Sequence, residues 1–242
     1  MPKLFKDILE IKKAFGKLMK LETNRQLYQE LSKASSLEEI NSSGWHIIPA
    51  GYRLVRADGR VKSNLDTFEL ALLCDTTNEV AYYNKVIVTS ICELSSKPAT
   101  QRLIWRTPEN RHRNAISGLS SNIFFNYILP RYDAILSDGN QSVFGKFFWE
   151  SQISTALDLD KHIYFYKMMS AELEPIRNRE DFEILKESIW GQSADHEFHL
   201  VIISQEPLPL DRKYELPIDT ILELDREDAS QPILRDDEDL TP

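Results

Sequence analysis

The chain lacks long apolar runs. Among its 242 residues the uninterrupted stretches are short, such as Leu200–Ile203, whereas a bilayer-spanning helix needs about 20. A membrane-spanning segment is therefore not expected. The first residues carry Lys3, Lys6, Lys12 and Lys13 among Leu and Ile with no unbroken apolar core after them, so a secretory signal is not expected either. Cysteine is scarce. Cys74 and Cys92 are the only two, too few for a disulfide framework or a four-ligand zinc site. Both sit in apolar, strand-like runs, where a buried free thiol is the usual state. No internal repeat or low-complexity block occurs. The pattern Gly-x-x-x-x-Gly-Lys is missing, and so is Gly-x-Gly-x-x-Gly, which excludes a Walker-type nucleotide loop and a dinucleotide fingerprint. His-Glu-x-x-His is missing too. In His196-Glu197-Phe198-His199 the histidines are three residues apart on an expected strand and face opposite ways, so no metal site is expected. Together these absences imply a soluble protein of a reducing compartment, most simply the cytoplasm.

Basic charge is also in short supply. Lys and Arg number 29 against 38 Asp and Glu, a formal net charge of −9. The acidic total argues weakly against tight duplex binding, which usually needs a broad basic face, so nucleic acid is a possible but not a favoured partner, with Arg102–Arg113 able to touch a phosphate. The deficit is concentrated at the end. Residues 219–242 hold nine acidic side chains against Arg226 and Arg235, which reads as a solvated acidic tail that folding does not need. The first 34 residues go the other way, with eight Lys and Arg against four Asp and Glu. In the middle, Arg102, Arg106, Arg111 and Arg113 fall within twelve residues. Such local charge reaches an anion through a Debye length of about 8 Å.

At 42% hydrophobic and 28% charged residues, the composition is that of an ordinary globular chain. Leu4, Ile8, Ile11, Phe15, Leu18, Leu21, Leu27 and Leu31 recur at helical spacing, predicting one or two amphipathic helices over 3–34. Ser35–Ser43 reads as a linker. Strands are expected around Tyr52–Val55, Phe68–Cys74, within Glu79–Leu94 and at Arg102–Trp105. From there strands and helices alternate. A helix over Ser117–Leu129 ends at Pro130, and a strand follows at Ala134–Leu136. A helix over Ser142–Leu157 turns Val143, Phe147, Ile153 and Leu157 inward. Then come a strand at Ile163–Met168, a helix at Asp181–Trp190 and a strand at Phe198–Ile203. That order predicts a mixed α/β sheet containing parallel pairs. The expected organisation is a helical extension and linker over 1–43, an α/β domain over 44–210 and the tail over 211–242.

One segment stands out chemically. Arg111-His112-Arg113-Asn114-Ala115-Ile116-Ser117-Gly118-Leu119-Ser120-Ser121 runs from a basic loop through a glycine into an amphipathic helix. First-turn N–H groups point outward and the helix dipole favours an anion there. Arg111, Arg113, Gly118, Leu119, Ser120 and Ser121 are thus candidate binders of a pyrophosphate. A plain helix N-cap made by Ser117 or Ser120 is the other reading of the same residues. Asp138 follows an expected buried strand, where α/β proteins place functional groups, and turns or caps use Asp there as well. Tyr82, Tyr83, Tyr164 and Tyr166 lie on strands. One face of these belongs to the core and the other to a cleft, where a Tyr hydroxyl can reach a leaving group.

The strand, basic loop, helix, strand, helix, strand order and the sequence Gly118-x-Ser120 followed by Ile123-Phe124 resemble the GNAT-type N-acetyltransferases. The family's loop pattern is Gln/Arg-x-x-Gly-x-Gly/Ala, and Ala115 departs from its first position. Asn140, Gly145 and Phe148-Trp149 resemble the family's next helix, without its usual Tyr acid. Ser137-Asp138, Gln141-Ser142, Gly145 and Phe148-Trp149 are similar to GNAT-like proteins encoded by phages and prophages. The resemblance spans roughly residues 45–204. It implies a GNAT-like mixed twisted sheet with an N-terminal helical extension. It also implies acetyl-CoA as cofactor, with the pyrophosphate on 118–121, and transfer of an acyl group to an amine. On that implication Asp138 and Tyr83 are the candidate catalytic groups. A repurposed GNAT-like phage protein is the alternative it leaves, either a non-catalytic interaction factor or a DNA-modifying protein resembling the Mom type.

Overall fold

Nine of the eleven strands join in one mixed sheet, in the order β10-β9-β11-β7-β6-β5-β4-β3-β2. The computed structural model describes residues 3–4, 16, 18–60, 66–88, 98–136, 140–141, 143–167, 169–190 and 199–210. Its strands are β1 (Lys3–Leu4), β2 (Leu37–Glu39), β3 (Tyr52–Asp58), β4 (Asp66–Cys74), β5 (Glu79–Val88), β6 (Pro98–Arg106), β7 (Ala134–Leu136), β8 (Asn140–Gln141), β9 (His162–Lys167), β10 (Glu172–Pro175) and β11 (His199–Ser204). The helices are α1 (Leu21–Ser32), α2 (Arg113–Ile116), α3 (Leu119–Ile123), α4 (Leu129–Tyr132), α5 (Val143–Asp158) and α6 (Arg179–Trp190). Between α3 and α4 lies a π-helical turn, Phe124–Ile128. The short strands β1 and β8 pair in parallel apart from the main sheet.

Both faces of the sheet are covered, so the central strands read as nearly continuous apolar runs. Phe68, Leu70, Leu72, Tyr82 and Val86 point to the face under the 119–132 helix, α5 and α6. Val55, Ala57, Ala71, Leu73, Tyr83 and Trp105 point to the opposite face, against Leu18, Leu27 and Leu31. Leu27 and Leu31 of α1 are fully buried, each contributing about 1.5–3 kcal/mol. The helix is also tied to β5 by a side chain. A one-residue bulge at Ala81 lies between the Leu72↔Tyr82 and Leu73↔Val80 pairs. Beside it Asn24 accepts from Val80 N–H at 2.8 Å and donates to its carbonyl at 3.0 Å.

Three expectations are corrected. Ser35–Ser43 is not a plain linker: Leu37–Glu39 pairs antiparallel with β3 as the edge strand, because the turn after α1 leaves these residues along an open strand edge. Pro130 does not stop its helix. The Leu129 N–H reaches back five residues to the Phe124 carbonyl, and this wider turn lets helical backbone run through Pro130 to Tyr132. In α5, Ile153 is buried and Leu157 packs against the core as expected, but their inward neighbours are Trp149 and Ala156, while Phe147 is 60% exposed. Phe147 stands two residues from Trp149, about 200° around the helix.

Candidate functional site

Within the main sheet β6 and β7 are parallel, and every other described ladder is antiparallel. Their described pairing runs from Pro98↔Ala134 to Thr100↔Leu136. β6 then runs on to Arg106 beside β5, so over 101–106 its other edge has no ladder partner among the described residues. A one-residue bulge at Arg102 lies between the Lys85↔Leu103 and Val86↔Gln101 pairs. The segment leaving the carboxyl end of β6 carries the basic loop, which is where open α/β sheets place their ligands.

That loop ends at Gly118. Ser117 is extended and Gly118 has φ 69°, a left-handed conformation that favours glycine. An added Cβ would meet nothing nearer than Asn122 Nδ2 at 3.9 Å, so the backbone angle, not lack of space, calls for glycine. Helical backbone begins at Leu119, and its first internal bond runs from Asn122 N–H to the Gly118 carbonyl at 3.0 Å. No side chain caps this end, so neither Ser117 nor Ser120 acts as the expected cap. The amides of Leu119, Ser120 and Ser121 are those a helix start leaves without internal partners. Leu119 is buried as the anchor beneath them. The Ser121 hydroxyl donates to Gln152 Oε1 at 3.0 Å, fixing the turn to α5.

Of the expected arginines, Arg113 is exposed beside the loop. Arg111 is half exposed and donates to Glu79 Oε2 at 2.7 Å, so part of its charge is already engaged. Segment 45–52 is stitched across the loop. The His46 imidazole lies 3.3 Å from the Ala115 carbonyl and 3.0 Å from Asn122 Nδ2. Six residues on, the Tyr52 hydroxyl is 2.9 Å from His112 Nδ1.

Of the two expected catalytic residues, the one the structure describes, Tyr83, does not join this arrangement. Asp138 lies outside the described residues. Tyr83 is buried on the opposite face of the sheet, under α1. Its hydroxyl donates to Glu69, which also binds Arg60, and Arg60 in turn reaches Glu30 of α1 at 2.7 Å. Burial first, then the neighbouring Glu69 charge, pushes the Tyr83 hydroxyl well above its ordinary range. Tyr82 faces the loop side and is fully buried. Burial raises its hydroxyl too, partly offset by the nearby Ser120 and Asn84 side chains, yet none bonds it.

Sequence reasoning missed the cluster of Tyr52, Glu79 and His112. Buried His112 and Glu79 are 3.2 Å apart, and Arg25 of α1 lies 3.4 Å from Glu79. Only His112, inside the basic loop, offered a signal. Cys74 is a buried free thiol as expected, and Cys92 lies outside the described residues. Among the described residues no group of side chains is arranged to hold a metal, and no helix is long and apolar enough to cross a membrane. No family model matches the chain, and no curated protein matches it.

Proposed function

We propose that the protein is an acyl-CoA-dependent N-acyltransferase of GNAT-like fold. The observation that carries this reading is the uncapped helix start at Gly118, on the segment that leaves the carboxyl end of β6, the strand that pairs in parallel with β7. The β6 edge over 101–106, which has no ladder partner among the described residues, suits the arm and thioester carbonyl of an acyl-CoA through its strand N–H groups. The Leu119–Ser121 amides suit its pyrophosphate, with Arg113 and the exposed half of Arg111 adding charge. Chemistry then consists of holding the thioester and polarising its carbonyl while an amine attacks directly, so positioning and backbone donors supply most of the effect. The order of the elements supports the same reading. Helical segments cross from β6 to β7 and from β7 to β9, and β11 inserts between β7 and β9.

Thermal unfolding with and without acetyl-CoA tests it. A ligand that binds only the folded chain stabilises it by about 2.7 kcal/mol at a hundred times its Kd. The expected outcome is a rise in melting temperature that saturates with acetyl-CoA and is smaller in Arg111→Ala and Arg113→Ala. An unchanged melting temperature at millimolar acetyl-CoA would overturn the assignment.

A further inference from the structure

The buried cluster behind the loop holds one nitrogen between two competing partners. Glu79 opens β5, His112 follows β6, and Tyr52 opens β3. The Tyr52–Cys74 and Cys74–Glu79 registers bring Tyr52 and Glu79 to the same end and face of the sheet. His112 is 1% exposed, so these neighbours, and not bulk water, decide its hydrogen bonds. Its Nε2 faces Arg111 Nε at 3.1 Å and Glu79 Oε2 at 3.2 Å. A guanidinium only donates and a carboxylate only accepts, so one nitrogen cannot satisfy both. In the neutral ring Nε2 accepts from the Arg111 Nε–H. The proton then sits on Nδ1 and is donated to the Tyr52 oxygen, 2.9 Å away. Glu79 Oε2 faces a lone pair. In the imidazolium both ring nitrogens donate. Nδ1–H keeps Tyr52, Nε2–H takes Glu79, and Arg111 Nε loses its acceptor and meets a like charge. Arg111 is the member free to leave. Its side chain is half exposed, whereas Glu79 is buried and keeps Arg25 of α1 at 3.4 Å. The other titratable groups about the ring are Tyr52, which meets it edge to face, and Cys74 of β4 beside Tyr52.

We propose that His112 is a proton-operated latch on Arg111. Histidine is the side chain whose charge ordinarily changes between about pH 5 and 8. The neutral imidazole holds Arg111 against Glu79. The imidazolium takes Glu79 for itself and turns the guanidinium out to solvent, on the loop that already exposes Arg113. The proton comes from solvent, along the side that Arg111 vacates. A local exchange of charge and hydrogen bonds thus selects between two positions of one side chain. The release rests on the geometry of the cluster alone. Its consequence rests on the acyltransferase reading: a second free guanidinium on the loop attracts the phosphates of an acyl-CoA more strongly, through charge acting over a Debye length and not through a fixed contact.

Two measurements on the full chain, without acetyl-CoA, test the latch. Imidazole 15N shifts follow His112 from about pH 8 to about pH 5. The neutral ring is expected to carry its proton on Nδ1 with Nε2 bare, and to become doubly protonated within that range. A neutral ring with its proton on Nε2, or one that stays neutral throughout, would overturn the proposal. The second measurement is arginine labelling by phenylglyoxal over the same range, mapped by mass spectrometry. Exposed Arg113 is the internal reference, because it shares the loop and the reagent's own pH dependence. The Arg111-to-Arg113 rate ratio is expected to rise severalfold as pH falls, with the midpoint of His112. A constant ratio, or one that follows His46 instead, would overturn the latch. In a folded His112→Gln the ratio should be constant, and a rise there would overturn it too; the wild-type measurements decide the matter if that variant does not fold. Failure of acetyl-CoA to stabilise the chain, with the ratio still rising in wild type, would remove the acyl-transfer reading and leave the latch standing. Stabilisation by acetyl-CoA with a constant ratio would do the reverse.

Discussion

At the scale of single residues, the buried polar groups decide what the fold tolerates. Tyr82 and Tyr83 are held protonated, and a tyrosine in an unfolded chain ionises near pH 10. The sign follows from linkage. Their stabilising effect is complete below about pH 10 and is lost as pH rises above it, because the unfolded chain then releases protons that the folded chain keeps. Tyrosinate absorbance during an alkaline titration should therefore lag behind that of free tyrosine and rise together with unfolding. Smooth ionisation of all tyrosines at pH 10 in a folded chain would contradict the burial. A second pair makes a sharper case. Asn84 Nδ2 donates to Gln101 Oε1 at 2.6 Å, while Asn84 Oδ1 and Gln101 Nε2 have no partner. Whichever way the two amides are turned, breaking the pair orphans a buried group, at a cost of about 1–3 kcal/mol. Asn84→Leu should thus destabilise by that amount, and Asn84→Leu with Gln101→Leu should recover most of it in chemical denaturation. Additive losses would show that the pair is not the unit.

At the scale of elements, bulges and unusual turns do the positioning, and these are what the sequence shows least. Val80, next to the bulge at Ala81, docks α1 through Asn24, and Asn24→Ala should cost about 2–4 kcal/mol by stranding the Val80 N–H and carbonyl. A loss under 1 kcal/mol in denaturant unfolding would mean that α1 is held by Leu27 and Leu31 alone. The strands Phe68–Cys74 and Ala134–Leu136 were legible because short apolar runs between turn residues admit few other states. The inward face of α5 was not, because Phe147 and Trp149 are equally apolar and only packing against Phe124 distinguishes them. Pro130 reads as a stop in any local rule, and only the π turn before it shows why the helix continues. Gly118 was legible as a glycine before a helix, but its left-handed angle was not. The change Gly118→Ala should accordingly cost about 1–2 kcal/mol of stability without filling the loop. Tyr52, Glu79 and His112 are distant in sequence, and no spacing rule joins residues that a sheet brings together.

At the scale of the whole molecule, the expected alternation of strands and helices is present, and it produces one parallel pair in an otherwise antiparallel sheet. The basic loop, the helix start at Gly118 and the segment carrying His46 and Tyr52 gather beyond the carboxyl end of β6. Isothermal titration with acetyl-CoA tests the central claim most directly, using wild type, Gly118→Ala and Gly118→Glu. The account predicts saturable binding by wild type, weaker binding by the alanine variant, and loss of binding by the glutamate variant, whose carboxylate would stand where the pyrophosphate belongs. Absence of heat from wild type at millimolar acetyl-CoA, or equal binding by wild type and a folded Gly118→Glu, would contradict it.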